Sequence, residues 1–588
     1  MPVPYALPAG DRPVRAGGAA ARREAARAVH RLPPRLVTSA ITTSDTKEKR
    51  NMNETDVVVV GSGASGLTAA LIAADAGLSV TVVEKAGVFG GTSVVSGGSI
   101  WAPCNRWLAD LGRTDSREDA LTYLKTITMG RVEEERYTTF VDTVNPMLDE
   151  VVALTGISFE ANPHHPDYQP GMPGAMAGGG RTLQGDLFDT TLLGDLKPKL
   201  RQAHSGVPIT RLEVDEWGQD TLDRWDWALI ADRVTKGIVG MGAALVGALL
   251  HGCQRKGVTL HTDTPARRLI RGADGSVAGV VVEHEGVEQE LRARLGVVLA
   301  SGGFEWNKAL VDQFLGAPLT APSSPPHNTG DGLLMAMSAG AMLGNMNQAW
   351  WSPSIYVKGD SYDGAPLYRP TSSLRALPGG IIVNRSGRRF VDEAMNYNDM
   401  GKALANFDPQ AYAYANQPCW LIFDQRFRDS YSVATVTPET PTPAWFTVAD
   451  TYEELAGKLG IDKDGFLDQM KRYNDYAATG VDVEFHRGES TYDSYRGDAR
   501  VTPHRNLRPL EDGPYYAVEV LLGALGTNGG PKTDTTGNVL AADGGTITGL
   551  YAAGNVAASP FGPGYPGAGA TLAAGMTYGY LSAKALAR

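Results

Sequence analysis

The sequence has little cysteine. Its 588 residues include three, which are separated by long intervals: Cys104, Cys253 and Cys419. Three scattered cysteines cannot form a disulfide framework, and their spacing is not that of a metal site. We therefore expect no metal ion and a location in the reducing cytoplasm, with peripheral contact with a membrane left open.

The sequence also lacks long apolar runs and an excess of positive charge. No uninterrupted apolar stretch approaches the roughly 18 residues that a transmembrane helix needs, so no transmembrane segment is expected. Asp and Glu number 65 against 54 Lys and Arg, which gives a formal net charge of −11. Because nucleic-acid-binding proteins carry basic surfaces, this balance argues against a nucleic-acid partner.

The segment 1–52 is rich in Arg and Ala and poor in acidic residues. It contains no apolar stretch of the secretory type, so a signal peptide is not expected. Two interpretations remain: a disordered basic tail, or an extension that results from a start assigned too early. We favour the second, with Met52 as the true start, because Met52 directly precedes the first predicted strand.

Glycine, in contrast, is abundant, with 70 residues that fall in clusters. The first cluster, GSGASG, places Gly61, Gly63 and Gly66 between a valine-rich strand at 56–60 and a helix at 67–76. In a G-x-G-x-x-G turn the first glycine permits the tight turn and the second lets the backbone approach a pyrophosphate. The third lets helix and strand pack closely, with the helix N-terminus towards the anion.

A second strand is predicted at 78–84 and ends in Glu84, where a carboxylate can accept both ribose hydroxyls. Strand, turn, helix and strand form a βαβ unit, which implies a parallel sheet. Further buried strands are predicted at 296–300 and 550–553, and a final helix at 570–587. The fold class is therefore α/β, with a Rossmann-type nucleotide-binding domain.

The segment 351–510 has a different composition. It is rich in proline and aromatic residues and lacks the succession of strand, glycine and helix. We interpret it as an α+β substrate (catalytic) domain inserted into the nucleotide-binding domain, which would comprise residues 53–350 and 511–588.

A second run of glycines and hydroxyl residues favours FAD over NAD as the nucleotide. The stretches GGTS at 90–93 and SGG at 96–98 follow directly after Glu84. Such a run can extend along a long diphosphate and on to an isoalloxazine ring, which an NAD site does not need. The strand end at Gly554 and Asn555 is expected to return to the same place.

Five motifs, GSGASG, GGTSVVSGG, ASGGF, NTGDG and YAAGN, resemble the fumarate reductase/3-ketosteroid dehydrogenase group of flavoproteins over roughly residues 55–586. The resemblance implies non-covalent FAD in a flavin domain, an inserted domain that closes over the substrate, and chemistry at their interface. The cofactor-binding residues that it implies, together with the glycine turn, are Gly61, Gly63, Ala64, Ser65, Gly66, Glu84, Lys85, Gly91, Thr92, Ser93, Ser96, Gly97, Gly98, Ala300, Gly302, Gly554, Asn555, Thr571 and Leu572.

Two late loops indicate the branch of this family. Fumarate reductases hold a dicarboxylate with His and Arg side chains at these places, because such donors pair with carboxylates. Here the loops read GTNGG at 526–530 and YPGAG at 565–569, without His or Arg. The substrate is therefore expected to be neutral and apolar.

The second loop, with Thr571 and Leu572 after it, resembles that of the 3-ketosteroid Δ1-dehydrogenases. The resemblance implies that the Tyr565 hydroxyl and the Gly569 N–H bind the C3 carbonyl oxygen. Two donors at one oxygen would stabilise the enolate-like charge that develops there.

Two further tyrosines complete the catalytic set that the resemblance implies. Arg389 to Tyr397 resembles the stretch whose tyrosine is the proposed base, so Tyr397 is expected to take the C2 proton. A tyrosine with its ordinary pKa of about 10 is a poor base at neutral pH and needs a second hydroxyl or a positive field. The loop at 164–170 resembles the one that supplies this helper, which we assign to Tyr168.

Some residues have structural interpretations that compete with functional ones. Arg388, Arg389 and Glu393 are expected to be structural, as an ion pair that organises the inserted domain. Trp350 and Trp351 would line an apolar pocket or pack a domain junction. The stretch 190–217 departs from the family pattern and would reshape the substrate pocket.

The leading hypothesis is an FAD-dependent 3-oxosteroid 1-dehydrogenase that passes electrons to an external acceptor such as a quinone or a carrier protein. A second hypothesis is a 3-ketosteroid Δ4-(5α)-dehydrogenase or a fumarate reductase-like flavin enone reductase acting on another neutral substrate. A third is a flavin-binding protein without catalysis.

Overall fold

The computed structural model describes residues 54–204, 206–218 and 222–588, so the extension predicted at 1–52 lies outside the described residues. No helix in these ranges combines the length and apolar character needed to cross a bilayer. The α-helices are α1 Ala64–Asp75, α2 Gly91–Val95, α3 Arg117–Thr128, α4 Glu134–Thr155, α5 Arg211–Trp217, α6 Trp227–Thr235, α7 Met241–Arg255, α8 Lys308–Phe314, α9 Asp331–Ser338, α10 Tyr397–Leu404, α11 Gln425–Ser430, α12 Tyr452–Leu459, α13 Lys463–Thr479, α14 Thr491–Arg496 and α15 Ala570–Leu586. Short 3-10 helices are formed by Arg106–Leu111, Thr190–Lys199, Leu222–Arg224, Leu374–Ala376 and Gly554–Val556.

The strands are β1 Glu54–Val60, β2 Val80–Val83, β3 Ile100–Trp101, β4 Phe159–Ala161, β5 Thr182–Gly185, β6 Phe188–Asp189, β7 Ile238–Val239, β8 Thr259–His261, β9 Ala266–Arg271, β10 Val277–His284, β11 Val287–Leu299, β12 Ala321–Pro322, β13 Leu343–Gly344, β14 Ala349–Tyr362, β15 Ala365–Pro370, β16 Gly380–Asn384, β17 Phe407–Asp408, β18 Ala413–Tyr414, β19 Cys419–Asp424, β20 Thr447–Ala449, β21 Tyr515–Thr527, β22 Gly530–Pro531, β23 Asn538–Leu540 and β24 Thr546–Ala552. Most of them belong to two sheets.

In the described part of the chain the first sheet has eight strands, with β23-β24-β11-β1-β2-β8 in order. Strand β10 pairs antiparallel with β11, and β9 pairs antiparallel with β10. Strands β24, β11, β1, β2 and β8 run parallel. Val57 to Val60 are all buried, because a central parallel strand is covered on both faces, which is why a continuous valine run forms it. The predicted parallel strands and the Rossmann-type fold class are confirmed.

Close contacts at glycines bring helices onto this sheet. A Cβ on Gly66 would lie 2.2 Å from the Gly61 carbonyl oxygen, which only glycine avoids. Helix α15 approaches α1 equally closely, because a Cβ on Gly579 would lie 2.4 Å from the Ser65 carbonyl oxygen. The first contact fixes the turn after β1, and the second places the start of α15 beside it.

A second sheet, of seven strands among the described residues, contains β15-β14-β21-β19-β16 in order, with β12 and β20 beside β21. One of its faces buries an apolar cluster that includes Ile382, Leu421, Phe423, Val518 and Leu522. Its strands come from residues 321 to 527. The domain boundaries expected at 351 and 510 stay a prediction.

A buried network of charges underlies the approach to α10. Arg389 donates to Glu393 at 2.7 and 2.8 Å and to Asp482 at 2.8 Å, and all three side chains are fully buried. Arg487 lies 3.2 Å from the same glutamate. Because a buried charge is costly unless it is paired, this network fixes the backbone that leads to Tyr397. The predicted ion pair is confirmed for Arg389 and Glu393, whereas Arg388 pairs with Asp468 instead.

Candidate active site

One cleft collects nearly all of the residues that the sequence singles out. The turn after β1, the ends of β2 and β11, the start of α10 and the loop before α15 all contribute to its wall. Every predicted site residue except Ala64 and Gly66 lines this cleft. Gly66 instead packs against the backbone of the turn, and the Ala64 N–H donates to the Ser93 hydroxyl at 3.0 Å. The individual roles of these residues stay predictions.

The glycine turn forms a cradle for a negatively charged group. Gly61 has φ of 104°, and a Cβ there would lie 2.4 Å from the Ala300 carbonyl oxygen. Gly63 is the N-cap of α1 and has no side chain to cap the helix, and the first turn has no acidic residue. Backbone N–H groups at a helix N-terminus favour an anion, so this cradle fits a diphosphate.

Glu84 is held rigidly at the end of β2. One carboxylate oxygen accepts hydrogen bonds from the Ser62 N–H at 3.1 Å and the Ser62 hydroxyl at 2.6 Å, and the other accepts from the Ala86 N–H at 2.9 Å. A carboxylate has about four acceptor positions, and these three bonds leave one position for a hydroxyl of a ribose. The carboxylate therefore suits a nucleotide bound over the glycine turn.

The second run of glycines and hydroxyls borders the same cleft. Thr92 accepts a hydrogen bond from the Asn328 amide at 2.8 Å, and Lys85 lies 2.7 Å from Asp331. Across the cleft, the Trp350 indole donates to Asn555 at 3.0 Å. The glycine turn, the Glu84 carboxylate and the second run of glycines and hydroxyl residues all line this cleft. Together they fit a long dinucleotide such as FAD.

Three buried tyrosines meet in the same cleft. The hydroxyls of Tyr168 and Tyr397 lie 2.8 Å apart and are hydrogen-bonded. The ring of Tyr565 lies 5.0 Å from the Tyr168 ring and 5.6 Å from the Tyr397 ring. The Trp350 ring packs at 4.8 Å on the other side of Tyr565. The structure thus brings together three side chains that are separated by up to 397 positions in the sequence.

Backbone hydrogen bonds tie the three tyrosine loops to one another. The Tyr168 N–H donates to the Pro566 carbonyl at 3.0 Å, and the Tyr123 hydroxyl donates to the same carbonyl at 2.8 Å. Asn396, the N-cap of α10, accepts from the Asp399 N–H and donates to the Tyr168 carbonyl at 3.2 Å. The tyrosine cluster is therefore held by the backbone as well as by its own hydroxyl contacts.

Gly569 is the N-cap of α15 and has φ of 92°. A Cβ at this position would lie 2.2 Å from the Ser99 carbonyl oxygen. Both the conformation and the contact require glycine here. Because Gly569 and Tyr565 line the same cleft and Gly569 begins a 17-residue helix, the positive end of α15 faces the tyrosine cluster.

Burial determines the acidity of the tyrosines. It raises the pKa of Tyr168 and Tyr397 well above the ordinary value, and neighbouring tyrosines add to this effect. The charge of Arg496 acts in the opposite direction on Tyr168. Burial also raises the pKa of Tyr565, while hydrogen bonds with Tyr397 and Thr571 lower it. At neutral pH the resting cluster is protonated and can donate hydrogen bonds.

Apart from Lys85, sequence reasoning did not assign roles to the basic side chains of the cleft, which are His165, Arg201, His204, Arg211, His327 and Arg496. Three of them fall in the segment 190–217, whose departure from the family pattern was the available signal. Arg496 follows Tyr492 by four residues on α14, and this helical spacing was a second signal. Of the tryptophans weighed for a pocket, Trp350 lines the cleft and Trp351 belongs to the core of the second sheet.

Comparison with known proteins agrees with this geometry. The chain matches the family model for the FAD binding domain over residues 56–572. It is 41% identical over 539 residues to the 4-oxocyclohexanecarboxylate 2-dehydrogenase of Sinomonas cyclohexanicum, which covers 90% of this chain and 92% of the relative. It is 40% identical over 560 residues to the 3-oxosteroid 1-dehydrogenase of Mycobacterium tuberculosis, with 90% and 98% covered.

A solved structure is similar over the same length. The 3-ketosteroid Δ1-dehydrogenase from Sterolibacterium denitrificans, in complex with 1,4-androstadiene-3,17-dione, superposes with a TM-score of 0.85 at 38% identity. The match covers 91% of this chain and 99% of that one. The resemblance stated from the five motifs is confirmed, as is FAD as the cofactor. The chain belongs to the FAD binding domain family, in the group that contains the 3-oxosteroid 1-dehydrogenases, and is an FAD-dependent dehydrogenase.

Proposed function

We propose that this protein is a 3-oxosteroid 1-dehydrogenase, which introduces the C1–C2 double bond of a 3-ketosteroid. The observation that supports this most is the tyrosine cluster: two hydroxyls 2.8 Å apart, beside Tyr565 and Gly569, in a cleft that also carries the nucleotide cradle. The similarity to 3-oxosteroid 1-dehydrogenases over nine tenths of the chain supports the same assignment.

We assign the binding of the substrate's C3 carbonyl group to Tyr565 and Gly569. The phenol and the backbone N–H would both donate to the C3 carbonyl oxygen, in a site lined by buried aromatic rings. Donors placed where negative charge develops stabilise the enolate-like transition state. This stabilisation makes the adjacent C2–H bond more acidic.

We assign the removal of the C2 proton to Tyr397. Tyr168 would share the negative charge of Tyr397 through the 2.8 Å hydrogen bond between their hydroxyls. In the reactive state Tyr397 is ionised, its own proton having been released to solvent. As the C2–H bond breaks, its proton forms a new O–H bond on this ionised Tyr397 and its electron pair moves into the C1–C2 bond. A hydride leaves C1 with the second electron pair, so one double bond forms and two hydrogens are removed. Bound FAD supplies the two-electron acceptor for that hydride.

Anaerobic mixing of the holoenzyme with androst-4-ene-3,17-dione tests the proposal. Loss of the oxidised-flavin absorbance, with a 1,4-dien-3-one as product, is the expected result. Tyr397→Phe and Tyr565→Phe should retain FAD and lose most of the reduction rate, because each removes one hydroxyl and leaves the glycine turn and Glu84 unchanged. Reduction only by the 5α-saturated steroid would indicate Δ4-dehydrogenation, and full activity of either variant would contradict the mechanism.

A second candidate substrate is a cyclohexanone carboxylate. The 41% identical relative acts on 4-oxocyclohexanecarboxylate, and the guanidinium groups of Arg211 and Arg496 contribute to the cleft wall. The same tyrosines would serve a ring ketone of either kind. Values of kcat/KM for the steroid and for 4-oxocyclohexanecarboxylate, measured on one preparation, would rank the two substrates.

The proposal includes an external electron acceptor, since each turnover leaves two electrons on the cofactor. A quinone or a carrier protein would accept them, in the cytoplasm or at the membrane surface. Reoxidation rates with a water-soluble quinone and with a dye would test the electron acceptor. Fractionation of cells into cytosol and membranes would test the location.

A further inference from the structure

A positive charge lies close to the tyrosine cluster. Arg496 ends α14, is almost fully buried and lines the same cleft as Tyr168. Its guanidinium carbon lies 5.5 Å from the centre of the Tyr492 ring and 5.1 Å from that of Tyr495. The Tyr492 ring in turn lies 5.3 Å from the Tyr168 ring. The Arg496 guanidinium is therefore next to the Tyr492 ring, which in turn is next to Tyr168 of the hydrogen-bonded Tyr168–Tyr397 pair.

Uncharged groups help to orient this guanidinium. It donates to the Ser373 hydroxyl at 3.2 Å and lies 3.3 Å from Nε2 of His165. Nδ1 of that histidine lies 3.1 Å from the Pro166 carbonyl, so an Nδ1–H donates there and Nε2 accepts from the arginine. Burial, then the charge of Arg496, holds the pKa of His165 well below its usual range, which keeps the imidazole neutral.

Several ionisable groups lie around Tyr168 and Arg496. The ionisable groups that face them are Tyr397, Tyr492, Tyr495, Tyr565, His165, Arg211 and Arg375. Burial raises the pKa of Tyr397, Tyr495 and Tyr565 and lowers that of His165, so these four groups are neutral near pH 7. Arg211 is paired with Asp215 at 2.9 Å. Burial, Tyr565 and Tyr492 raise the pKa of Tyr168, whereas the charge of Arg496 and the hydrogen bond with Tyr397 lower it.

We propose that Arg496 is a positioning residue for the reaction: its positive charge stabilises the negative charge that the Tyr168–Tyr397 pair carries when it is ready to accept a proton. The inference rests on the proposed function, in which Tyr397 takes the C2 proton. A phenol buried among other phenols is a very weak acid, and an opposite charge in the same pocket favours its ionised form. A nearby positive charge would thus explain how a tyrosine can act as a base although it is buried.

A carboxylate placed on Ser373 tests this without removing the arginine. In Ser373→Asp the new carboxylate would pair with Arg496 and cancel its field, and the ion pair would favour folding. The matched control, Ser373→Asn, changes size and polarity equally but adds no charge. We expect the pH profile of anaerobic flavin reduction to move to higher pH by about one pH unit or more in Ser373→Asp, and to stay in place in Ser373→Asn.

Removal of the charge gives a second test. Arg496→Gln should lower the reduction rate near pH 7 at least about tenfold and regain rate as the pH rises, because the ionised fraction of a base falls about tenfold for each pH unit below its apparent pKa. Arg496→Lys keeps the charge and should recover much of the loss. Arg500→Gln, which removes an arginine bonded to Asp498 in the neighbouring loop, should match the wild type.

Two substrates separate this role from direct substrate binding. If Arg496 acts through the tyrosines, Arg496→Gln lowers the rate equally for a neutral ketone and for 4-oxocyclohexanecarboxylate. A loss confined to the acid, and seen in KM alone, would overturn the proposal. So would unchanged pH profiles in both Ser373→Asp and Arg496→Gln while Tyr397→Phe is inactive. An active Tyr397→Phe enzyme would instead refute the proposed function itself.

Discussion

Gly569→Ala gives the sharpest test of the carbonyl site. The residue has φ of 92°, a region where a side chain costs roughly 1–3 kcal/mol. The new Cβ would lie 2.2 Å from the Ser99 carbonyl oxygen, 2.3 Å from the Ser99 carbonyl carbon and 2.5 Å from the Ile100 nitrogen. Real Cβ contacts stay beyond 3.0 Å, so the backbones must separate by at least 0.8 Å, the difference between 3.0 and 2.2 Å.

The contacted atoms are backbone atoms and cannot rotate away, so the displacement falls on the start of α15. It moves the N–H assigned to the substrate carbonyl by nearly 1 Å, and a misplacement of about this size costs roughly a hundredfold in rate. We expect kcat to fall by about that factor while the flavin content stays close to the wild-type value.

Gly544→Ala is the matched control for this variant. Gly544 has φ of 93°, and a Cβ there would meet no atom within 4 Å. It shares the backbone strain of Gly569→Ala but not the collision, so it should lower the melting temperature slightly and leave kcat unchanged. Steady-state kinetics with dye reduction, flavin absorbance and thermal melts measure these effects. If Gly569→Ala kept kcat within about threefold of Gly544→Ala, the reasoning would be wrong.

Three further substitutions test other parts of the structure. Tyr168→Phe removes the hydroxyl 2.8 Å from Tyr397 and should lower kcat at least about tenfold without loss of flavin, as rapid-mixing absorbance would measure. Glu84→Gln replaces a charged acceptor, so FAD affinity should fall roughly 10–100-fold when apoprotein is reconstituted; unchanged affinity would contradict the ribose assignment. Glu393→Gln removes one of the two fully buried carboxylates that pair with Arg389 and should cost about 3–5 kcal/mol in the free energy of unfolding, measured with denaturant. Burial raises the pKa of Glu393, but its arginine partners hold it below the ordinary value, so its stabilisation is present above about pH 4.5 and lost as the pH falls; Glu393→Gln should weaken that acid sensitivity.

Local patterns in the sequence were sufficient for the nucleotide-binding half. A run of buried valines, a glycine turn and a carboxylate at the end of the next strand are short-range features, and each has one common structural meaning. The strand at 56–60 and the helix at 570–587 were predicted to within a few residues of their bounds in β1 and α15.

The catalytic tyrosines needed more than local pattern. Tyr168, Tyr397 and Tyr565 were selected among 22 tyrosines through motif resemblance, since no spacing along the chain indicates that their rings meet. Their roles stay predictions, but their meeting in one cleft is a property of the fold. Basic residues such as Arg211 could not be assigned to that cleft, because the segment that carries them has no counterpart in the motifs.

The sequence by itself determined the fold class, the FAD cradle and the identity of the polar groups that a dehydrogenase of this family would use. The tertiary structure alone decided how these groups affect one another. Whether a tyrosine is acidic or inert depends on burial and on charges within a few ångströms, and Arg496 reaches Tyr168 only because α14 folds back onto the loop at 164–170. Such electrostatic effects depend on distance through space, which the order of residues along a chain does not give.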